Sequence, residues 1–99
     1  MNLRYLNCSD NQLTNLDLSQ CSNLEELSCY NNQFTSVDFL NTLSQPEKLE
    51  YLAIFNNNIQ STDIAYFSKF VNLRVLEIST GLRGLELGKR NKFYGSFES

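Results

Sequence analysis

Cysteines at 8, 21 and 29, eleven carboxylates and no histidine define what this 99-residue sequence could do chemically. Without histidine, Ser-His-Asp and Cys-His nucleophile systems and histidine-ligated metals are ruled out. A metal site needs several ligands converging, and the cysteines offer only two thiols at matching places in the pattern below. Cys8 and Cys29 therefore read as small buried residues, with Cys21 packing at a turn. Neither a G-x-x-x-x-G-K-[ST] nor a G-x-G-x-x-G phosphate cradle is present. Glu26 and Glu77 could pair as acid and base only across about 10 Å, two strand spacings. Nothing else in the sequence suggests a cleft around them, so an enzyme is not expected, nor any cofactor.

Charge narrows the partners further. The net charge is −3 with a pI near 4.8. The basic run Lys89, Arg90 and Lys92 is short, which argues against nucleic acid. No 18-residue apolar stretch exists, so no membrane span is expected. The start of the chain lacks a basic region followed by an apolar run. With an odd cysteine count, that points to reduced thiols and a cytoplasmic setting.

The elements that must position these residues come from a repeat. "NLRYLNCSDNQL", 2–13, returns as "NLEELSCYNNQF", 23–34. The frame is L-x-x-L-x-(L/C/I)-x-x-N-x-(L/F/I). It is filled by Leu3, Leu6, Cys8, Asn11 and Leu13, then by Leu24, Leu27, Cys29, Asn32 and Phe34. Leu49, Leu52, Ile54, Asn57 and Ile59 make a third copy, and Leu73, Leu76 and Ile78 begin a fourth. The starts lie 21, 25 and 24 residues apart. This period and frame resemble those of leucine-rich repeat proteins. The phrasing of "NLEELSCYNNQFTSVDFL" and "NKFYGSF" is similar to repeats of root-symbiotic fungi.

The frame has a physical reading of its own. Apolar residues two apart share one face of a strand. So short a strand cannot bury that face alone, and stacked coils make one continuous core. The expected fold is an α/β solenoid, a short curved arc. Parallel strands line its concave face, with loops and short 3₁₀ or α turns on the convex face. One domain, 1–99, divides into coils at about 3–23, 24–48, 49–72 and 73–99. Asn11, Asn32 and Asn57, each eight residues after the first leucine, are expected to form a buried amide ladder. Asn31, Asn56 and Asn58 are expected to face solvent.

On the return path, Leu13, Leu16 and Leu18, then Phe34, Val37 and Leu40, supply convex core. Pro46 is expected to stop any helix before the third strand. Ser61 or Thr62 should cap a turn in which Ile64, Phe67 and Phe70 face inward, leaving Tyr66 and Lys69 exposed. The fourth coil departs from the frame. Gly81 and Arg83 stand where asparagine and an apolar residue belong, and Asn91 and Phe93 fit ten residues late. Thr80 to Lys89 therefore reads as an insertion. The alternatives are a fifth, abnormally close strand through Leu82, Leu85 and Leu87, or a disrupted end of the repeat.

The resemblance implies protein recognition through the concave strand face. Tyr5, Glu26, Tyr51 and Val75 should form one column there, and Ser9, Tyr30, Phe55 and Ser79 another. The expected contact residues are Tyr5, Glu26, Tyr30, Tyr51, Phe55 and Glu77, the aromatics as anchors and the acids steering a basic partner. The other reading is a structural spacer in a longer solenoid, or a partial copy with no independent function. Neither end carries an obvious cap, so in that case self-association through the ends is expected.

Overall fold

The computed structural model describes residues 3–60, 62–78, 91 and 93–94. Four three-residue strands, β1 (Tyr5–Asn7), β2 (Glu26–Ser28), β3 (Tyr51–Ala53) and β5 (Val75–Glu77), form a parallel sheet in the order β1-β2-β3-β5. Between the last two, β4 (Thr62–Asp63) lies on the return path and pairs in parallel with β6 (Phe93–Tyr94). The main sheet has no register slip. Leu6, Leu27, Leu52 and Leu76 stand side by side at the strand centres. Each strand is one inward leucine between two outward residues, the shortest unit that the two-residue period allows.

Stacking explains which leucines are driest. Leu27 and Leu52, with a strand on either side, are fully buried. Leu6 and Leu76, in the outer strands, are only partly buried. Each inner leucine gains about 1.5–3 kcal/mol from leaving water. Behind them the core runs through Leu18, Leu24, Phe34, Leu40, Leu49, Ile54 and Ile59. Phe39 joins it, stacked on Phe34 with ring centroids 4.2 Å apart. Its frame position gives no hint of this.

The convex side uses 3₁₀ turns at Asp38–Thr42, Pro46–Lys48 and Ile64–Lys69. Pro46 opens a turn rather than only ending one, because its fixed φ suits the first helical position. The cap of the last turn is Asp63 rather than Thr62, and Ser61 lies outside the described residues. The Asp63 Oδ1 accepts the Ala65 N–H at 2.9 Å. Phe67 and Phe70 are buried. Tyr66 and Lys69 are half-buried rather than exposed. The Tyr66 hydroxyl reaches Asn41 Oδ1 at 2.6 Å and the Val37 carbonyl at 3.2 Å, which ties this turn to the coil before it.

Amides close the turn after each strand. The Asn32 Nδ2 donates to the carbonyls of Cys29 and Tyr30 in its own coil and of Cys8 in the one before, while its Oδ1 accepts the Leu13 N–H. Asn57 repeats this with Ile54, Phe55 and Cys29, and accepts from Phe34 N–H. Asn11 is exposed rather than buried in the ladder, and among the described residues it donates to the Cys8 and Ser9 carbonyls of its own coil, with no described coil before it to supply a further carbonyl. In the fourth coil Asn91 donates to the Ile54 and Ile78 carbonyls and accepts the Ile59 N–H. It takes the carbonyl thirteen residues before it, where its counterparts take the one three before. Thr80 to Lys89, and with them the insertion and fifth-strand readings, lie outside the described residues.

A second asparagine column was not foreseen. Asp10, Asn31 and Asn56, each one residue before a ladder position, have φ of 59°, 54° and 55°. Asp and Asn tolerate this left-handed conformation better than other residues with a Cβ. Asn56 is buried rather than solvent-facing. The signal was present as an Asp or Asn at the same offset in three coils.

Candidate protein-binding face

The strand face is built by register. Tyr5, Glu26, Tyr51 and Val75 stand in line across the four strands. A second line runs Asn7, Ser28, Ala53 and Glu77. Tyr30 and Phe55 follow two residues beyond β2 and β3. The ladder continues past the strands to hold them, since Asp10 N–H donates to the Tyr30 carbonyl and Asn31 N–H to that of Phe55. Their rings stack with centroids 4.5 Å apart and planes 6° from parallel.

Among the expected contact residues, Tyr5 is 56% exposed. Glu26 and Glu77 are also exposed, and Tyr30, Tyr51 and Phe55 are half-buried. The fold brings two pairs of them into direct contact. One is the Tyr30–Phe55 stack. The other is the Tyr51 hydroxyl donating to Glu77 Oε1 at 3.2 Å. Burial, with the Glu77 carboxylate next, pushes the Tyr51 phenol above its usual range. Tyr5 stands apart from this group, two strands from Tyr51, with the Arg4 guanidinium 5.6 Å from its ring centre. Ala53, at the end of β3, lies on the same face yet is fully buried and offers no side-chain surface there. Ser79 lies outside the described residues.

Beside this face runs a charged line not picked out from sequence: Arg4, Glu25, Glu50 and Arg74, one residue after each opening leucine. Backbone bonds join them in turn, Glu25 N–H to Arg4, Glu50 N–H to Glu25 and Arg74 N–H to Glu50. Arg4 grips Glu25 through Nε at 2.7 Å and Nη2 at 3.2 Å, a two-point contact. That bond raises the arginine pKa and lowers the glutamate's. Arg74 Nη1 lies 3.8 Å from Glu50. The charges run plus, minus, minus, plus, so each carboxylate has its own arginine. Arg4, Glu25 and Glu50, with Asn23, Glu47, Lys48 and Asn72, line an open cleft beside the strand face.

The arrangement presents aromatic surface flanked by carboxylates on a hydrogen-bonded scaffold. Among the described residues no three Cys, Asp or Glu side chains converge as a metal site would require. No helix among them is long and apolar enough to cross a membrane.

A family model described as Leucine Rich repeats, in two copies, matches residues 2–42, the first coil and most of the second. No curated protein and no solved structure matches the chain. Repeats of this family generally act as protein-interaction scaffolds and are typically non-enzymatic. With two repeats matched over residues 2–42 and four parallel strands stacked in one register, the chain has the fold of a short leucine-rich repeat arc.

Proposed function

We propose that this chain is a non-enzymatic scaffold that recognises a protein through its strand face, with Tyr30, Tyr51 and Phe55 as anchors. The observation that carries the reading is the Tyr30–Phe55 stack, held half-exposed on a sheet face by backbone bonds. Ordered aromatic rings lose little conformational freedom on binding, which is why such groups dominate interface energies. Glu26 and Glu77, exposed on either side of Tyr51, favour a partner with basic groups opposite them. Tyr5 extends the contact toward the first coil. A cytoplasmic location belongs to the same proposal, supported by the odd cysteine count of three. The kinship with repeats of root-symbiotic fungi also belongs to it and rests on phrasing alone.

A second reading is a spacer section of a longer solenoid. Leu3 and Leu6 favour it, being only partly buried where their counterparts Leu24 and Leu27 are dry. Such a section would self-associate through its end coils.

A quantitative pull-down separates the two. The native chain is compared with a Tyr30→Glu, Phe55→Glu double variant and with Glu26→Lys, after circular dichroism shows which of them fold. A partner held by the native chain and lost by the folded variants supports recognition through this face. Equal retention by all of them sinks it, and concentration-dependent self-association without a partner favours the spacer.

A further inference from the structure

We propose that Cys8 and Cys29 are a redox pair that closes into a disulfide linking the first two coils. Their Sγ atoms lie 3.4 Å apart. Both are reduced in the structure. The pairing of Asn7 with Ser28 continues into them, and Cys8 N–H donates to the Ser28 carbonyl at 2.9 Å. Neighbouring parallel strands are about 4.8 Å apart, inside the Cα separation that a disulfide spans. One side chain fixes both backbones. The Asn32 amide donates to the Cys8 and Cys29 carbonyls together, each at 3.1 Å. The pair is therefore held in register before any bond forms.

The two thiols differ in access. Cys29 is fully buried, and Cys8 sits half-buried in the first coil. Cys8 can donate to the Ser28 carbonyl at 3.6 Å or to Cys29. Once Cys8 ionises, the Cys29 S–H turns to it and stabilises the thiolate. That bond holds the Cys8 thiol down to about 7 and, with burial, drives Cys29 upward. Cys8 is thus the attacking group and Cys29 the resolving one. Cys21 takes no part in this contact. It lies in the return segment, its backbone bonded to Leu18 and Leu24.

The oxidant is a small-molecule disulfide such as oxidised glutathione. The Cys8 thiolate attacks one of its sulfurs, the oxidant's S–S bond breaks, and one glutathione thiolate leaves with the electron pair. That thiolate accepts the Cys29 proton. The Cys29 thiolate then attacks Cys8 Sγ, the mixed disulfide breaks, and the second glutathione leaves and is protonated from water. Two electrons pass from the pair to the oxidant, and the two thiol protons are balanced by two glutathione thiols. The link ties β1 to β2 just before Tyr30.

The test uses the native reduced chain under non-denaturing conditions. It is treated with oxidised glutathione, then denatured, alkylated and mapped by mass spectrometry. The expected product has lost two hydrogens, carries a Cys8–Cys29 cross-linked peptide, and is alkylated only at Cys21. Cys29→Ser, if folded, should instead hold one glutathione on Cys8. Alkylation of all three cysteines, a link through Cys21, or a Cys8–Cys29 link that forms only in denaturant overturns the proposal. Mapping of the native chain decides alone if the variant does not fold.

Discussion

Tyr30 and Phe55 lie one coil apart and stack with their rings 6° from parallel. The backbone bond from Asn31 N–H to the Phe55 carbonyl, 3.2 Å, locks the segments that carry them. Parallel stacked rings at this separation add about 0.5–1.5 kcal/mol beyond their area. A double-mutant cycle of Tyr30→Ala, Phe55→Ala and both should return a coupling in that range, read by urea denaturation. A coupling of zero would mean that the two rings share a place without supporting each other. The anchor would then be two separate side chains.

The asparagine turns invite a graded test. Asn57 is fully buried, with three carbonyls and one N–H satisfied by its amide. Asn11 is exposed and serves two carbonyls of its own coil. Removing a buried partner leaves its groups unsatisfied, whereas water replaces an exposed one. Asn57→Ala should cost about 2–4 kcal/mol and Asn11→Ala at most about 1. Denaturation midpoints at unchanged m-value measure both. Equal losses would contradict the cross-coil role given to Asn57.

Much of this arrangement was legible because stacked coils translate sequence position directly into space. The shared offsets of Leu6, Leu27, Leu52 and Leu76 are the sheet register itself. What escaped depends on neighbours rather than on position. Phe39 and Tyr66 occupy no frame position, and their burial comes from contact with Phe34 and with the Asn41 turn. Ala53 is buried because its methyl is shorter than the side chains around it, although its place in the strand points outward. The Glu25 and Glu50 line was overlooked because charges at a repeated position read one by one as surface. Only the register shows that each meets an arginine.

Backbone strain can be isolated at Asp10. Its φ is 59°, and its Oδ1 accepts from Asn31 Nδ2 at 2.7 Å. Asp10→Gly and Asp10→Val both lose that bond, so the difference between them reports the backbone. Valine in a left-handed conformation costs about 1–2 kcal/mol more than a residue without a Cβ. Asp10→Val should therefore unfold at lower urea than Asp10→Gly by that amount. Indistinguishable variants would mean that the turn relaxes when its Asp is removed.

Tyr66 makes the stability of the chain depend on alkaline pH. Burial first, and the Asp38 carboxylate second, push its phenol up to about 12 from an ordinary value near 10. The folded state holds this proton longer than the unfolded state does. The contribution is therefore whole below about pH 10 and lost as pH rises towards 12. Tyr66→Phe removes the titration together with the bonds to Asn41 and Val37. At neutral pH the variant should be less stable by about 0.5–1.5 kcal/mol. Between pH 10 and 11 the gap should narrow, because only the native chain is losing this term. Urea midpoints of both chains across that range provide the measurement. A gap that stays constant with pH would show that the Tyr66 phenol titrates alike in the folded and unfolded chains.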